Sequence, residues 1–519
     1  MQHEGKVYLV GAGPGDPGLL TLRGRELLQQ AEVVVYDYLA NAKLLRHAPK
    51  DCIRIYVGKK GGGLHACTQE HINRLLVEHA RAGRTVVRLK GGDPFIFGRG
   101  GEEIEELAAY GIAFEAVPGV TAASAAATYT GIPITHRRYT ASVAFITGHE
   151  DPDKPLSNID WNKLATGAGT LVIYMGIKNL PDIAQKLMAA GRRPETPAAV
   201  VRWASMPQQE SVIGTLADIG DRVRAAAIKP PALVIVGEVV QARGCINWFE
   251  KRPLFGRRIV VTRTREQASA LVSQLENLGA DCLECPTIEV RELADYSQLD
   301  AALERLADFD WLLFTSPNTV QHFFRRLQQA GQDSRALYGL RIAAVGSSTA
   351  EALRPFGLRA DFLPEKYTGE ALAEALIASG FAQGQRFLLP QAAQVGKILP
   401  DKLRAAGATV MVVPAYETVP ATEAGAELQA ALDAGAVDCI TFTSSSTVRN
   451  CFALLACENE AALRQALARV RLAAIGPVTA KTIAEYGLPV AIMPERHTIA
   501  DLVSALLHHF TRESPAARV

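Results

Sequence analysis

The first half of the chain alternates short apolar runs with polar or glycine-rich breaks. The runs are rich in branched residues and predict buried strands at eight places: Val7–Val10, Glu32–Tyr36, Val86–Leu89, Ile112–Val117, Ser142–Thr147, Thr170–Tyr174, Ala198–Val201 and Ala232–Val236. The segment Thr68–Gly83 has apolar residues at helical spacing and predicts an amphipathic helix. Glycine or another small residue follows many of the strands. The pattern therefore predicts two α/β lobes with a cleft, divided near Pro118-Gly119.

The stretch Val86–Glu103 is the most informative part of this pattern. Its strand breaks into Gly91-Gly92-Asp93-Pro94, where glycine lets the backbone approach a ligand closely. Asp93 lies where the strand ends, and open α/β sheets bind ligands outside the carboxyl ends of their strands. A tight strand-to-helix turn is the alternative interpretation. The polar side chains among the glycines favour a binding loop.

A second glycine-rich loop, Gly11–Asp16, follows the first predicted strand. Because Asp37 follows about twenty residues later, the loop suggests a dinucleotide site and a nucleotide-dependent oxidoreductase. However, Pro14 lacks the N–H that would donate to a pyrophosphate, and Asp16 places a carboxylate where the phosphate would lie. A ligand without phosphates suits the loop better, and the oxidoreductase stays as the alternative.

The second half contains an internal duplication. Segments that begin at Gly256, Pro286, Phe314, Ala344 and Pro364 recur in the same order at Gly384, Pro414, Phe442, Ala474 and Pro494. Each copy alternates strands and helices, with Ser, Thr or Gly at the strand ends, which predicts two doubly wound α/β domains. These groups suit an anionic ligand, but no strong nucleophile–base pair stands out. A non-catalytic ligand-binding sensor is therefore an alternative for this half.

Composition narrows the classes of function. The chain has 519 residues and a formal net charge of +1, which gives no overall field for binding nucleic acid. No apolar run is long enough for a transmembrane helix, and the first residues lack a signal-peptide pattern. The eight cysteines are scattered, and we interpret the lone pair Cys282 and Cys285 as packing. We expect a cytoplasmic protein with no metal, no nucleic-acid partner and no membrane partner.

Five segments of the first half carry a resemblance to a known family: VYLVGAGPGDPGLLTLRG (7–24), VVVYD (33–37), VRLKGGDPFIFGRGGEE (87–103), VPGVTAASAAATYTGIPITHR (117–137) and YMG (174–176). Over about residues 5–249 the chain resembles uroporphyrinogen-III C-methyltransferase. The resemblance implies a two-lobed tetrapyrrole-methyltransferase fold. It also implies transfer of two methyl groups from S-adenosylmethionine to uroporphyrinogen III, which gives precorrin-2 for the siroheme or cobalamin branch.

The same resemblance implies the residues that bind the methyl donor. They are Pro14, Gly91, Gly92, Asp93, Ile96, Thr121, Ala122, Met175 and Ala204. The family usually has glycine where Ala204 stands; if the contact is made through the backbone, alanine should serve as well.

Two further residues are implied as catalytic. Asp37 matches the family's proposed proton acceptor and Lys59 its proposed proton donor, which suits a reaction in which a proton must leave the macrocycle. A turn-capping Asp37 and a solvated Lys59-Lys60 pair are the alternatives. Arg99 and Arg138 are candidates for holding substrate carboxylates, because a guanidinium matches a carboxylate in a bidentate pair.

Four segments of the second half carry a second resemblance: PEKYTGE (364–370), FTSSSTV (442–448), AIGPVTA (474–480) and HTIADL (497–502). Over about residues 256–510 the chain resembles uroporphyrinogen-III synthase, which closes hydroxymethylbilane. Tyr416 matches the family's tyrosine, whose phenol would assist the departing hydroxyl; a half-buried strand tyrosine is the alternative. Ser316, Thr349, Ser445 and Thr479 are candidate carboxylate contacts, or else helix caps.

The sequence thus predicts a bifunctional α/β enzyme: a two-lobed methyltransferase fold followed by a duplicated, two-domain doubly wound synthase fold. The expected methyltransferase spans 1–249, with lobes of about 1–118 and 119–249. The expected synthase spans 256–510, with one lobe of about 256–288 plus 420–510 and the other of 289–419. We expect a homodimer formed through the methyltransferase half.

Overall fold

The computed structural model describes residues 5–58, 67–149, 158–263, 265–393, 398–455 and 460–512. The strands within these ranges form four sheets. None of the described helices is long and apolar enough to cross a membrane. Across the same ranges, no group of three or more His, Cys, Asp or Glu side chains is arranged to hold a metal ion.

The first sheet has five strands: β1 (Lys6–Gly11), β2 (Val33–Tyr36), β3 (Ile53–Tyr56), β4 (Thr85–Lys90) and β5 (Ala113–Val117). They are parallel and stand in the order β3-β2-β4-β1-β5, so β4 is central. The three valines of β2 are fully buried, as expected for a strand covered on both faces.

Three α-helices lie in the described connections between these strands, α1 (Leu22–Gln29), α2 (Gln69–Arg81) and α3 (Gly100–Ala109), and a 3-10 helix, Ala42–His47, lies between β2 and β3. Helix α2 confirms the amphipathic helix expected at 68–83. The Thr68 side chain accepts a hydrogen bond from the His71 N–H and so caps its N-terminus, while Ile72 and Leu76 are buried.

The second sheet follows helix α4 (Ala122–Thr130) and has the strands β6 (Val143–Thr147), β7 (Thr170–Tyr174), β8 (Pro197–Arg202), β9 (Glu210–Thr215) and β10 (Ala232–Val236). Its order is β6-β7-β10-β8-β9, and only β6 and β7 are parallel. Its helices are α5 (Trp161–Gly167), α6 (Leu180–Ala189), α7 (Ile219–Ala225) and α8 (Arg243–Ile246). Small residues let α4 pack closely, since Ala123 and Ala126 are fully buried in a cluster with Val172 of β7.

The described residues of the second half form nine strands: β11 (Arg258–Val261), β12 (Asp281–Glu284), β13 (Ile288–Arg291), β14 (Trp311–Phe314), β15 (Arg341–Ala344), β16 (Arg386–Ala392), β17 (Thr409–Pro420), β18 (Cys439–Phe442) and β19 (Arg471–Ala474). One sheet has the order β12-β11-β18-β19, and the other has the order β13-β17-β16-β14-β15. The last sheet is parallel apart from β13, which pairs antiparallel with the end of β17.

The helices of this half are α9 (Arg265–Asn277), α10 (Ser297–Leu303), α11 (Pro317–Gln329), α12 (Ser347–Glu351), α13 (Gly369–Ala378), α14 (Ile398–Ala405), α15 (Thr422–Asp433), α16 (Ser445–Leu455), α17 (Glu460–Ala468), α18 (Pro477–Glu485) and α19 (Ile499–Arg512). The structure confirms the duplication. Strand β14 ends at Phe314 and its counterpart β18 at Phe442, while β15 ends at Ala344 and its counterpart β19 at Ala474. An isolated bridge beside each copy, Ala343–Phe362 and Ala473–Ile492, repeats in the same way.

The predicted strands of the first half are all present, but β3 and β9 were not predicted. Both lie at an edge of their sheet, and their residues are mostly half-buried or exposed. An edge strand needs no continuous apolar run, so hydrophobic patterning gives little signal for it. The limits of the lobes expected from the sequence stay predictions.

Candidate functional site

A cleft of about 580 Å³ opens in the first half where β1, β2 and β4 end, and residues of the second sheet line its other side. It contains all nine residues expected to bind the methyl donor: Pro14, Gly91, Gly92, Asp93, Ile96, Thr121, Ala122, Met175 and Ala204. Asp37 and Arg99 also line the cleft. Lys59 lies outside the described residues. The structure therefore brings residues from widely separated chain segments to one cavity.

Two glycine loops form one wall of this cleft. Gly13 N–H donates to the carbonyl of Gly92 at 3.2 Å, and Gly92 N–H donates to the carbonyl of Gly13 at 2.7 Å. Gly119 packs against them so closely that a Cβ there would lie 2.2 Å from the Gly92 oxygen. Because these N–H groups are already bonded within the protein, they are not available to a phosphate. The geometry favours a ligand other than a dinucleotide.

Asp93 holds this wall together. One carboxylate oxygen accepts a hydrogen bond from the Phe95 N–H at 2.8 Å, and the other accepts one from the Gly119 N–H at 3.0 Å. The first bond is the turn-capping role that the sequence left open. The second ties the loop after β4 to the loop before α4, so Asp93 both shapes and lines the cleft.

Left-handed backbone is concentrated at the cleft. Four of its lining residues other than glycine have a φ between 50° and 59°: Phe97, Arg99, Met175 and Trp203. Such conformations cost about 1–3 kcal/mol each and tend to gather at ligand sites. The fold therefore accepts strain here to place side chains around the cavity.

Tyr174, at the end of β7, connects the two walls. Its phenol oxygen lies 2.6 Å from Thr121 Oγ1 and accepts a hydrogen bond from the Ala123 N–H at 3.1 Å. Burial raises the pKa of the Tyr174 phenol, so the group stays protonated at neutral pH. These bonds fix the N-terminus of α4, which carries two of the expected donor contacts.

Asp37 follows β2 and is held by two donors. Its Oδ1 accepts a hydrogen bond from the Leu39 N–H at 3.0 Å, and its Oδ2 lies 3.1 Å from Nη2 of Arg88. Arg88 is buried in the central strand β4 and belongs to a cluster of buried charges with Lys90 and Glu103. Asp37 is therefore both the turn cap and a carboxylate oriented at the edge of the cleft.

The two expected carboxylate-binding arginines differ in placement. Arg99 lines the cleft, but its guanidinium binds Glu102 of its own helix with an Nη2–Oε2 distance of 2.5 Å. That hydrogen bond raises the pKa of Arg99. Arg138 is exposed, lies over the ring of Tyr139 and is not among the residues that line the cleft. The structure brings Arg99 to the cavity and leaves Arg138 away from it.

Tyr416 lies in the second half, near a β-bulge between β16 and β17. Its phenol oxygen is 3.3 Å from Ser316 Oγ, and its ring stacks on the imidazole of His322 with centroids 5.1 Å apart. Ser316 also caps α11, because its Oγ accepts a hydrogen bond from the Thr319 N–H at 3.2 Å. Bulges re-aim side chains, and here three polar side chains meet at one position.

The other expected synthase contacts are engaged within the protein. Thr349 and Thr479 are buried, with exposed fractions of 3% and 4%. Ser445 Oγ donates to the carbonyl of Val478 at 3.3 Å and accepts from Thr482 Oγ1 at 2.8 Å. The helix-cap alternative is not seen for Thr349 and Thr479, because α12 and α18 have Gly346 and Gly476 as their N-caps and no side-chain hydrogen bond caps either helix. A role in holding substrate carboxylates stays a prediction for these three residues.

Comparison with known proteins identifies both halves. The family of tetrapyrrole (corrin/porphyrin) methylases matches residues 6–220, and the family of uroporphyrinogen-III synthase HemD matches residues 269–504. A porphyrin biosynthesis protein HemD from Ruminiclostridium josui is 39% identical over 507 residues, which cover 98% of each chain. The chain belongs to this family of porphyrin biosynthesis proteins. It joins a uroporphyrinogen-III C-methyltransferase to a uroporphyrinogen-III synthase, as the two resemblances predicted.

Two further methyltransferases are similar to parts of this chain. A uroporphyrinogen-III C-methyltransferase from Bacillus subtilis is 43% identical over 348 residues, which are 67% of this chain and 71% of that protein. The solved structure of uroporphyrin-III C-methyl transferase from Thermus thermophilus, in complex with S-adenyl homocysteine, is 44% identical. It covers 46% of this chain and 99% of its own, with a TM-score of 0.39. The family match and the Bacillus subtilis relative favour a methyltransferase over the oxidoreductase alternative.

Several residues at these sites were missed by sequence reasoning. In the methyltransferase half they are Tyr174, Arg88 and Glu103, and in the synthase half His322. A signal for Arg88 was present, because Arg88 and Lys90 are charged residues two apart in an apolar strand. Such residues share one face of a strand, so their charges had to be paired inside the fold.

Proposed function

We propose that the synthase half closes hydroxymethylbilane to uroporphyrinogen III with inversion of ring D. The methyltransferase half then transfers two methyl groups from S-adenosylmethionine to uroporphyrinogen III and gives precorrin-2. The product of one half is thus the substrate of the other. Precorrin-2 then enters the siroheme or the cobalamin branch.

The observation that carries the methyltransferase part is the convergence of all nine expected donor contacts in one cleft. The cleft suits a donor without phosphates, because the N–H groups of Gly13 and Gly92 are bonded to each other's carbonyls. Apolar side chains, among them Ile96 and Met175, are placed to hold the uncharged parts of such a ligand. Its small residues and positive-φ glycine let the backbone come close to it.

S-adenosylmethionine, when bound, supplies a methyl group on a sulfonium centre. This chain would contribute position and proton transfer. The loops of Gly91-Gly92 and Thr121-Ala122 would hold the donor beside the macrocycle, and such positioning is the main source of rate in a displacement reaction. Asp37, oriented by Arg88, would take the proton that leaves the macrocycle. Arg99 would exchange Glu102 for a substrate carboxylate.

For the synthase half, Tyr416 would donate a hydrogen bond to the hydroxyl that leaves hydroxymethylbilane as water. The phenol is already within 3.3 Å of Ser316 Oγ, and the stacked imidazole of His322 fixes the plane of its ring. The strand-end hydroxyls would hold the linear tetrapyrrole so that ring D inverts before closure. We further propose that the protein acts in the cytoplasm as a homodimer formed through its methyltransferase half.

Two assays on the full chain test this proposal. Incubation with hydroxymethylbilane alone is expected to give uroporphyrinogen III, whereas spontaneous closure gives isomer I. Incubation with uroporphyrinogen III and methyl-labelled S-adenosylmethionine is expected to put two labels on each macrocycle. Isomer I alone would refute the synthase part, and an unlabelled macrocycle would refute the methyltransferase part.

A further inference from the structure

The methyltransferase half holds a group of charged and polar side chains at one end of its cleft, and three of the charged ones are buried. We call it the Glu103 cluster; it consists of Asp37, Gln69, Arg88, Lys90 and Glu103. The side chains of Arg88, Lys90 and Glu103 are only 4%, 5% and 0% exposed. Charged groups are rarely buried this deeply unless each has a partner.

Glu103 is the centre of the cluster. Its Oε1 accepts hydrogen bonds from Nζ of Lys90 at 2.7 Å, from Nε2 of Gln69 at 3.2 Å and from Nε of Arg88 at 3.3 Å. Its Oε2 is buried and has no hydrogen-bond partner among the described residues. Three donors on one oxygen and none on the other is a costly way to bury a carboxylate. Packing alone would be served better by an apolar side chain.

Arg88 links Glu103 to Asp37. Its Nε faces Glu103, its Nη1 donates to the carbonyl of Leu89 at 3.1 Å, and its Nη2 lies 3.1 Å from Asp37 Oδ2. A guanidinium is planar, so fixing one edge fixes the direction of the other. Arg88 therefore presents Nη2 to Asp37 in a direction that Glu103 sets.

Lys90 makes this arrangement depend on Glu103. Burial, followed by the positive charge of Arg88, lowers the pKa of the Lys90 ammonium group. Glu103 is the carboxylate that balances it at 2.7 Å. Without Glu103, two buried cations would share the one remaining carboxylate of the cluster, that of Asp37, and would compete for it.

We propose that Glu103 is a positioning residue for methyl transfer, because it neutralises Lys90 and directs Arg88 towards Asp37. This inference rests on the proposed function, in which Asp37 takes the proton that leaves the macrocycle. Glu103 itself does not line the cleft, whereas Asp37, Arg88 and Lys90 do.

Other titratable groups lie near Asp37. Tyr36 and Tyr38 flank it in the chain, and Tyr56 faces it from β3. Burial raises the pKa of Tyr56, and the charge of Asp37 adds to the shift. Lys59 lies outside the described residues.

The test compares four variants of the full chain: Glu103→Gln, Lys90→Met, the double variant, and Glu105→Gln as a control. Glu105 is an exposed acid on the same helix. Methyl transfer to uroporphyrinogen III is measured as kcat and KM across pH, and the Kd of S-adenosylhomocysteine by calorimetry. A displaced catalytic group costs about 100-fold in rate, so Glu103→Gln should lose about that in kcat, with KM and Kd nearly unchanged.

The double variant separates positioning from simple stability. It removes the surplus cation, so it should recover much of the kcat that Glu103→Gln loses, and Glu105→Gln should behave as wild type. If Glu103→Gln fails to fold, Glu103→Asp serves instead, because it keeps the charge on a side chain too short to reach Lys90 and Arg88 in the same way. Its kcat should fall, and its Kd for S-adenosylhomocysteine should be unchanged. Equal kcat in Glu103→Gln and wild type, no recovery in the double variant, or a parallel loss of donor binding would overturn the inference. An inactive wild type would instead refute the proposed function.

Discussion

The methyltransferase cleft and the strand ends around Tyr416 use similar α/β sheets for different chemistry. The cleft gathers buried charges, left-handed backbone and glycine contacts around one cavity. The strand ends around Tyr416 and Ser445 present hydroxyls that cap helices or bond to one another. Methyl transfer needs a defined donor and a proton acceptor, whereas ring closure needs a flexible chain held in one shape. We therefore expect single substitutions to reduce methyltransferase activity far more than single substitutions near Tyr416 reduce synthase activity.

The duplicated copies of the synthase half make a second comparison. In the alignment that pairs Pro286 with Pro414, the counterpart of Tyr416 is Ile288, and the counterpart of His322 is Asn450. Each of these two ring side chains is thus present in one copy, and the other copy folds without it.

The largest effect is expected from Asp37→Asn. Loss of a positioned base costs about 10²- to 10⁴-fold in rate, and methyl transfer should fall by that much while uroporphyrinogen III formation is unchanged. Both activities are measured on the same preparation. Asp51→Asn, an exposed acid in the same lobe, serves as the control. Full methyltransferase activity in Asp37→Asn would remove the proton-acceptor role.

A smaller effect is expected from a substitution at Gly119, which packs against the loops of Gly13 and Gly92. In Gly119→Ala the new Cβ would lie 2.2 Å from the Gly92 oxygen, so the loops must move. Overpacking costs about 1–3 kcal/mol, so S-adenosylhomocysteine should bind about 5- to 150-fold more weakly by calorimetry. A Cβ at Gly101 meets nothing within 4 Å, so Gly101→Ala should bind normally. If both variants bound S-adenosylhomocysteine equally well, the close packing at Gly119 would not be needed for donor binding.

The comparison predicts a milder loss in the synthase half. Tyr416→Phe removes one hydrogen-bond donor. Because ring closure depends mainly on holding the linear tetrapyrrole in one shape, uroporphyrinogen III formation should slow by only about tenfold, and methyl transfer should be unchanged. Tyr338→Phe is the control, since that tyrosine is 94% exposed. A loss as large as that of Asp37→Asn would show that the synthase depends on one acid and would end the contrast between the halves.

The smallest effect is expected from Tyr174→Phe. The variant loses the bonds to Thr121 and Ala123, which together are worth about 1–2 kcal/mol. The KM for S-adenosylmethionine should rise several-fold with little change in kcat. Tyr110→Phe, a half-exposed tyrosine after α3, is the matched control. A change in kcat alone would mean that Tyr174 acts on the reaction rather than on the donor site.

Much of the fold was predictable because its signals are local. Glycines after strands, branched apolar runs and the repeated motifs of the second half can each be read in a short window of sequence. Gly91, Gly92 and Asp93 were placed in the cleft on that basis. The family resemblance added distant residues such as Met175 and Ala204, which no local pattern connects to the loop.

The buried charges were not predictable in the same way. Glu103 looked like an ordinary acid in the first turn of a helix, where it suits the helix dipole. Only the tertiary structure shows that its side chain turns inward to Lys90 of β4. Arg138 is exposed and does not line the cleft, so its expected contact with a substrate carboxylate stays a prediction. Pairing of charges is decided by tertiary contacts, which a single sequence does not reveal.

The central claim is that one chain performs two consecutive reactions. The most direct test supplies the full chain with hydroxymethylbilane, with and without methyl-labelled S-adenosylmethionine, and identifies the macrocycle by isomer and mass. We predict uroporphyrinogen III without the donor and a doubly methylated product, precorrin-2, with it. Formation of isomer I in both reactions, or of unmethylated uroporphyrinogen III when the donor is present, would contradict the account.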